Sequence, residues 1–444
     1  MISVTILFMS IYTVLPYLKP GIPVISSLNN NTVWWAISLL ILLLFFFSRY
    51  YFFDQTNKDA MLIVWIYLLW NIVCIARGIF ETGMTLDGRE LTNKMLVLLL
   101  PIIIFSATNK IVVQSIFVFY VKYALPLFAL IALIVSPDAF GYYLMPVGIL
   151  ILFFPAFSKR QAIFILLLIL LVILTDFTTK NHLLIFGIPF IILVIYYLRQ
   201  KISVRVIELV CISLFVLPLL FIMLVATNLF NIPEINEYYG TSKNNVSTGN
   251  ESSSAASGIA AGTKTFIYTD VLETAIKNNS WLLGRTPAKG EDPVTISAMT
   301  TGFTGMNEQP SNETGLTNLF IWTGLMGLIL YFFIFIRASF LAVNRSNNIY
   351  IKMLGVFIAF RWLYSWFEEV SNFSVNNFLL MIVLGMCFSN SFRKMTDNEM
   401  LVWVRGIFDV RFIRLQYAMM KRNEYEMKLD MNPGIAEEDK NRFV

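Results

Sequence analysis

Residues 33–53 read VWWAISLLILLLFFFSRYYFF, and Arg49 is the one charged side chain among them. An α-helix rises about 1.5 Å per residue, so about 20 mostly apolar residues cross the roughly 30 Å hydrocarbon core of a bilayer. This stretch therefore predicts a membrane-spanning helix. The whole chain agrees, because 57% of its 444 residues are hydrophobic and only 14% are charged. A soluble domain carries about 25% charged residues.

Outward from this stretch, apolar segments of similar length recur along the chain. We expect an all-α integral membrane protein with about twelve transmembrane helices, nine of them within residues 1–230 and three within 314–392. The first, sixth and seventh segments are short, and one of them could be re-entrant. The first segment is interpreted as a span, not as a removable signal peptide. The predicted spans are Ile2–Leu18, Val33–Phe53, Ala60–Phe80, Leu91–Ala107, Val112–Val135, Tyr142–Phe157, Gln161–Phe177, His182–Leu198, Val206–Phe230, Leu316–Ile336, Ile349–Phe367 and Ser374–Phe392.

The distribution of Lys and Arg between the connections predicts the orientation. If the N-terminus is cytoplasmic, the inner connections carry more cations than the short outer ones, which hold Lys19, Arg77, Arg89, Lys94 and Lys180. Both termini are then inside, and the long segment 231–313 is a periplasmic loop. The net charge of +5 is interpreted as orientation signals and lipid contact, and we expect no nucleic-acid partner.

The long loop and the C-terminal tail each differ in composition from the spans. Residues 241–262, TSKNNVSTGNESSSAASGIAAG, cannot bury a core and are predicted to be flexible, whereas 263–313 are predicted to be ordered. The tail, 393–444, carries an apolar stripe at helical spacing. It predicts an amphipathic helix on the inner leaflet, or alternatively a helix that binds a partner. The stripe is Leu401, Val404, Phe408, Phe412, Leu415 and Met419.

Cys74, Cys211 and Cys387 all lie in apolar runs and are predicted to be buried thiols, with neither a disulfide framework nor a metal cluster. The sequence also lacks a phosphate-binding glycine loop and zinc-ligand spacing, so we expect no cofactor.

Several cations fall in the predicted outer connections or inside a span. A charged side chain inside a span is energetically costly and therefore indicates a functional site. Guanidinium groups bind phosphate oxygens in bidentate fashion and Lys supplies a point charge. An outer cationic cavity would therefore suit a lipid diphosphate and would stabilise it as a leaving group. The alternatives are structural: Arg89 pairs with a neighbouring carboxylate, and Arg361 pairs with Glu368 two turns on. The cations are Arg89, Lys180, Arg285, Lys289 and Arg361.

Two residues are candidate general bases for a sugar hydroxyl. His182 is the only histidine, and its side-chain type titrates near the working pH. Glu313 lies where the long loop re-enters the membrane. The alternatives are an interfacial histidine and a solvated carboxylate in the first turn of a helix, where negative charge is favoured.

Two segments resemble the end of the large periplasmic loop in O-antigen polymerases and ligases. They are SWLLGRTP, 280–287, and SNETGLTNLFIWTGLMGLILYF, 311–332. Trp281, Gly284, Asn312, Gly324 and Gly327 fit the family's pattern of Trp-x-x-Gly, a His or Asn at re-entry, and Gly-x-x-Gly in the next span.

The chain departs from the family pattern at two places. Lys180 stands where an Arg is usual, and Pro310, Ser311, Asn312 and Glu313 replace the histidine of the ligases. The missing histidine favours a polymerase over a ligase.

The resemblance implies a GT-C-like membrane glycosyltransferase of the bacterial inner membrane that needs no metal. It would join repeat units carried on undecaprenyl diphosphate and would work with a chain-length regulator protein. Arg285, Arg89 and Lys180 would hold the diphosphates, with Lys289, Arg361, Asn312 and Trp281 as further binding residues, and His182 or Glu313 would deprotonate the acceptor. The alternatives are a flippase for the same lipid, a ligase, and an enzyme that uses a lipid monophosphate donor.

Overall fold

The computed structural model describes residues 1–19, 31–81, 87–175, 180–226, 268, 271–289, 314–368, 371–416 and 418–419. Within these ranges the chain is all-helical, apart from one isolated β-bridge between Leu18 and Val135. Asn312, Glu313 and the predicted flexible segment 241–262 lie outside the described residues.

The helices follow the order of the predicted apolar segments. They are α1 (Ile2–Tyr17), α2 (Asn31–Phe52), α3 (Lys58–Glu81), α4 (Asp87–Leu98), α5 (Ile103–Ala107), α6 (Lys110–Ile134), α7 (Pro137–Tyr143), α8 (Met145–Ala156) and α9 (Lys159–Thr175). They continue with α10 (Lys180–Tyr197), α11 (Val204–Ala226), α12 (271–277), α13 (Gly315–Asn344), α14 (Ile349–Ser365), α15 (Val375–Phe388), α16 (Asn390–Arg393) and α17 (Asp397–Arg405).

Four helices are long and apolar enough to cross a membrane: Asn31–Phe52, Gln55–Glu81, Lys110–Ile134 and Gly315–Asn344. A fifth span is possible if α7 and α8, which meet at a bend of 53°, count as one. Shorter apolar helices occupy other predicted spans, among them Ile2–Tyr17, Leu91–Ala107 and Val375–Phe388. The described residues thus contain four or five candidate spans, and the total of twelve stays a prediction.

The bundle is apolar both inside and outside. Helix α15 is buried along nearly its whole length, which makes it the central helix. Peripheral helices instead expose large aliphatic side chains, and Leu133 and Leu174 are 72% and 71% exposed. A helix surface of this kind is stable against lipid tails and costly in water. The three cysteines are free and buried, which confirms that part of the sequence prediction.

The bundle has two distinct ends, which we call the tail end and the loop end. At the tail end, Trp403 of α17 is fully buried, and its indole Nε1 donates to the Lys110 carbonyl at 3.1 Å. The Arg405 Nε donates to the Ala156 carbonyl at 3.0 Å. The predicted continuous stripe from Leu401 is interrupted, because α17 ends at Arg405 and a turn follows. The first part of the tail therefore packs against the bundle, and its attachment to lipid stays a prediction.

The loop end holds residue 268, residues 271–289, the start of α13, the end of α14 and the start of α15. The Gly315 amide donates to the Glu368 carbonyl at 3.0 Å, which ties α13 to the end of α14. The Val375 amide donates to Thr13 Oγ1 at 3.1 Å and ties α15 to α1. The candidate site lies at this end.

Candidate functional site

A cavity of about 580 Å³ opens at the loop end, between α1, α2, α10, α14 and the segment that leads into α15. Its wall is polar and aromatic, in contrast to the apolar interior of the bundle. The lining residues used below are Tyr12, Tyr17, Trp34, Tyr142, Tyr364, Glu368 and Asn376.

Arg361 lies below this cavity. A second, smaller cavity shares Met145, Ile185 and Asn376 with the first and is also lined by Arg361. The Arg361 side chain is 2% exposed, and its Nη2 atom makes no hydrogen bond with the described part of the chain. The guanidinium group is therefore a buried donor beside a polar cavity.

The electrostatic neighbours of Arg361 among the described residues are phenols. Its Cζ lies 5.2 Å from the centre of the Tyr364 ring, and Tyr331 is the other neighbour. Glu368 is not among these neighbours, so the described residues do not form the Arg361–Glu368 ion pair that was the alternative to a ligand site. The reason is that the two side chains belong to different levels of the site, one buried below the cavity and one in its wall. A buried arginine with no carboxylate partner is costly, and an anionic ligand would offset that cost.

The cavity wall offers a second buried donor and two aromatic pairs. The Trp34 indole Nε1 is buried without a hydrogen bond among the described residues. Its ring lies 4.3 Å from that of Tyr12, centre to centre, and the Tyr17 and Tyr142 rings stack at 5.2 Å. Aromatic side chains with a polar edge suit a ligand that has both apolar faces and hydroxyl groups.

A separate cluster at the loop end fixes residues 280–286 to α13, and we call it the loop anchor. Helix α13 is broken at Gly324, which has φ 70° and ψ −173°. The Arg285 amide donates to the Ile321 carbonyl at 2.7 Å, and the Leu325 amide donates to the Trp281 carbonyl at 2.9 Å. The loop backbone therefore satisfies polar groups that the break in the helix leaves open, as irregular backbone within a membrane requires.

The loop anchor joins the two glycine-containing motifs of the sequence resemblance. Gly284 from Trp-x-x-Gly and Gly324 from Gly-x-x-Gly approach so closely that a Cβ atom built on Gly284 would lie 2.6 Å from the Gly324 nitrogen. The Trp70 Nε1 closes the contact by donating to the Thr323 carbonyl at 3.0 Å. In this chain the two glycine motifs therefore have a structural explanation, because they allow the loop backbone to pack directly against α13.

Arg77 binds the loop anchor from α3, with Nη1 donating to the Leu283 carbonyl at 2.8 Å and Nη2 to the Gly284 carbonyl at 3.2 Å. We expect Arg77→Ala to destabilise the docked loop by about 1–3 kcal/mol, because two charge-assisted hydrogen bonds are lost. The measurement is the thermal unfolding temperature in nanodiscs, with the exposed Arg205→Ala as control. If Arg77→Ala has the unfolding temperature of the wild type, Arg77 does not have this role.

Of the described loop residues among the sequence candidates, Trp281 and Arg285 belong to the loop anchor and Lys289 follows it, and none of them is among the residues that line the cavity. Trp281 is 49% exposed, and Arg285 is half-buried. Lys289 Nζ pairs with Glu81 Oε2 at 3.4 Å, and Thr286 donates to the same oxygen at 3.1 Å. The structure thus places these three candidates in one segment that contacts α3 and α13, and not in the wall of the main cavity or of the small cavity at Arg361.

Three other candidates are described by their backbone alone. Arg89 lies in the first turn of α4, and Lys180 and His182 lie in the first turn of α10. Helix α10 contributes Ile185 to the cavity wall, so its first turn lies at the loop end. The roles of these three residues, like those of Asn312 and Glu313, stay predictions.

Sequence reasoning missed the cavity-wall residues Tyr12, Trp34 and Tyr142. Aromatic residues near span ends have the same pattern whether they form an interfacial belt or line a cavity. Lys94, which the sequence assigns to an outer connection, is 3% exposed, and its Nζ lies 5.6 Å from the centre of the Trp322 ring.

Comparison with known proteins identifies no family for this arrangement: no protein-family model matches the chain, and no curated protein matches it. The class is therefore given by the fold, an all-helical protein with several helices long and apolar enough to span a membrane.

Proposed function

We propose that this protein polymerises oligosaccharide repeat units carried on undecaprenyl diphosphate, by glycosyl transfer at the outer face of the bacterial inner membrane. Lipid diphosphate is the leaving group. The observation that carries the proposal is the buried Arg361, which pairs with no carboxylate of the described residues, beside a polar and aromatic cavity at the loop end.

Arg361 suits the diphosphate. Its guanidinium Nη2 lacks a hydrogen-bond acceptor within the described chain, and the described groups around it are apolar or phenolic apart from the Asn376 amide. Phosphate oxygens would supply acceptors and a compensating charge. As the bond to the sugar breaks, negative charge grows on the diphosphate, and a fixed cation in a dry site stabilises that charge more strongly than water does.

The cavity suits the sugars. A volume of about 580 Å³ lies in the range of small-molecule sites. The stacked Tyr17 and Tyr142 rings offer an apolar platform, and the Trp34 Nε1 offers a donor to hydroxyl oxygens. The exposed aliphatic belt of the bundle would keep the undecaprenyl chain in the lipid phase beside the site.

The test is deletion of the gene in its source bacterium, followed by complementation. A polymerase deletion leaves surface carriers capped with a single repeat unit, and the wild-type gene restores long chains on a glycan gel. Loss of all polymer with intracellular accumulation of lipid-linked units would instead establish a flippase. Long chains that stay on undecaprenyl diphosphate would establish a ligase.

A further inference from the structure

Among the described residues, Glu368 is the carboxylate that lines the main cavity. It follows Arg361 by seven residues, and its amide donates to the Tyr364 carbonyl at 3.1 Å, which continues the helical turn past the end of α14. Residues two turns apart share a helix face and lie about 10 Å apart along the axis. Glu368 thus lines the main cavity, and Arg361 lines the small cavity that shares Met145, Ile185 and Asn376 with it.

The backbone around Glu368 is fixed by the start of α13 and by Tyr268 of the long loop. The Gly315 amide donates to the Glu368 carbonyl at 3.0 Å, at the point where the chain re-enters the bundle. The Tyr268 hydroxyl donates to the Trp366 carbonyl. Burial raises the pKa of the Tyr268 phenol, so this donor keeps its proton at neutral pH. A reactive group needs such a fixed position, because catalysis depends on pre-oriented geometry.

The neighbours of Glu368 in the cavity wall suit a sugar. Asn372 and Asn376 add amide groups on one side, and Tyr12 and Trp34 add an aromatic wall. A sugar with one face against the rings would bring its hydroxyl groups towards the amides and the carboxylate. The acceptor hydroxyl would then lie on the opposite side of the reacting carbon from the diphosphate that Arg361 holds.

We propose that Glu368 is the general base of the transfer, an inference that rests on the proposed polymerase function. Its carboxylate takes the proton from the acceptor hydroxyl as that oxygen forms a bond to the anomeric carbon of the donor sugar. The bond from this carbon to the diphosphate oxygen breaks, and the electron pair leaves with undecaprenyl diphosphate. The proton on Glu368 then passes to water at the cavity mouth.

The test uses the full-length protein in nanodiscs with lipid-linked repeat units extracted from the deletion strain. Glu368→Gln keeps the size of the side chain and removes the base. We expect polymer formation to fall by about 100-fold or more, since general-base catalysis contributes roughly 10²–10⁴-fold. Undecaprenyl diphosphate, used alone as a binding probe, should bind as it does to the wild type. Glu368→Asp should retain part of the activity, and the exposed Glu273→Gln should retain all of it.

Three results would overturn the role of Glu368, and they are distinguishable. Near-wild-type polymerisation by Glu368→Gln would leave the polymerase function intact and show that the base is another group. Loss of probe binding by Glu368→Gln would make Glu368 a binding or structural residue. Absence of polymer with the wild-type protein, under conditions where the probe binds, would overturn the polymerase function itself.

Discussion

Replacing Arg361 with methionine is expected to lower polymer formation by about 100-fold or more, the scale seen when one preorganised charge-stabilising donor is removed. Binding of undecaprenyl diphosphate should weaken in parallel. The cause is the loss of the guanidinium group beside the cavity. No carboxylate of the described chain forms a structural ion pair with this group. The measurements are polymer length on a glycan gel and probe binding to nanodiscs.

The stability of Arg361→Met separates a ligand site from a structural role. Exchange of a buried charge for an apolar side chain of similar volume is often neutral or stabilising, by about 1–4 kcal/mol. We therefore expect an unchanged or higher unfolding temperature together with lost activity. Arg160→Met, at an exposed position on α9, is the matched control and should leave both quantities unchanged. Wild-type binding and chain length in Arg361→Met would remove the basis of the proposed function.

The second large effect is expected from Gly324→Ala in the loop anchor. A Cβ atom at this position would lie 2.3 Å from the Leu282 carbonyl oxygen and 2.5 Å from the Gly284 nitrogen. Both neighbours are backbone atoms, so they cannot turn away as a side chain would. The φ of 70° adds roughly 1–2 kcal/mol of steric cost for a residue with a Cβ. We expect residues 280–286 to separate from α13 and the protein to lose several kcal/mol of stability.

Gly187→Ala is the matched control for this substitution. Gly187 lies in α10, and no atom lies within 4 Å of the Cβ position, so alanine should be neutral or stabilise the helix by up to about 1 kcal/mol. Thermal unfolding in nanodiscs and limited proteolysis measure the difference. Equal stability of the two variants would contradict the close backbone contact. Gly284→Ala should resemble Gly324→Ala, because its Cβ would meet the same backbone from the other side.

The sequence determined the helical elements of this protein. In a helix the backbone N–H and C=O groups form hydrogen bonds within one segment. A sufficiently long apolar run in a membrane can therefore form a helix without pairing to another segment. Segments such as Leu91–Ala107 therefore appear in the structure where the hydrophobic pattern predicted them. The burial of the three cysteines followed for the same reason, since it depends on local apolar composition.

Only the tertiary structure decided which distant residues meet. Helix packing brings Gly284 against Gly324 and brings Tyr12, Trp34 and Glu368 to one cavity. It also leaves Arg361 without a carboxylate neighbour among the described residues. Arg361 and Glu368 illustrate what the sequence pattern alone does not decide. Their spacing left an ion pair open as one interpretation, and packing instead places Arg361 in the wall of the small buried cavity and Glu368 in the wall of the main one. Local periodicity sets which face of a helix a residue occupies, whereas contacts between helices set what that face meets.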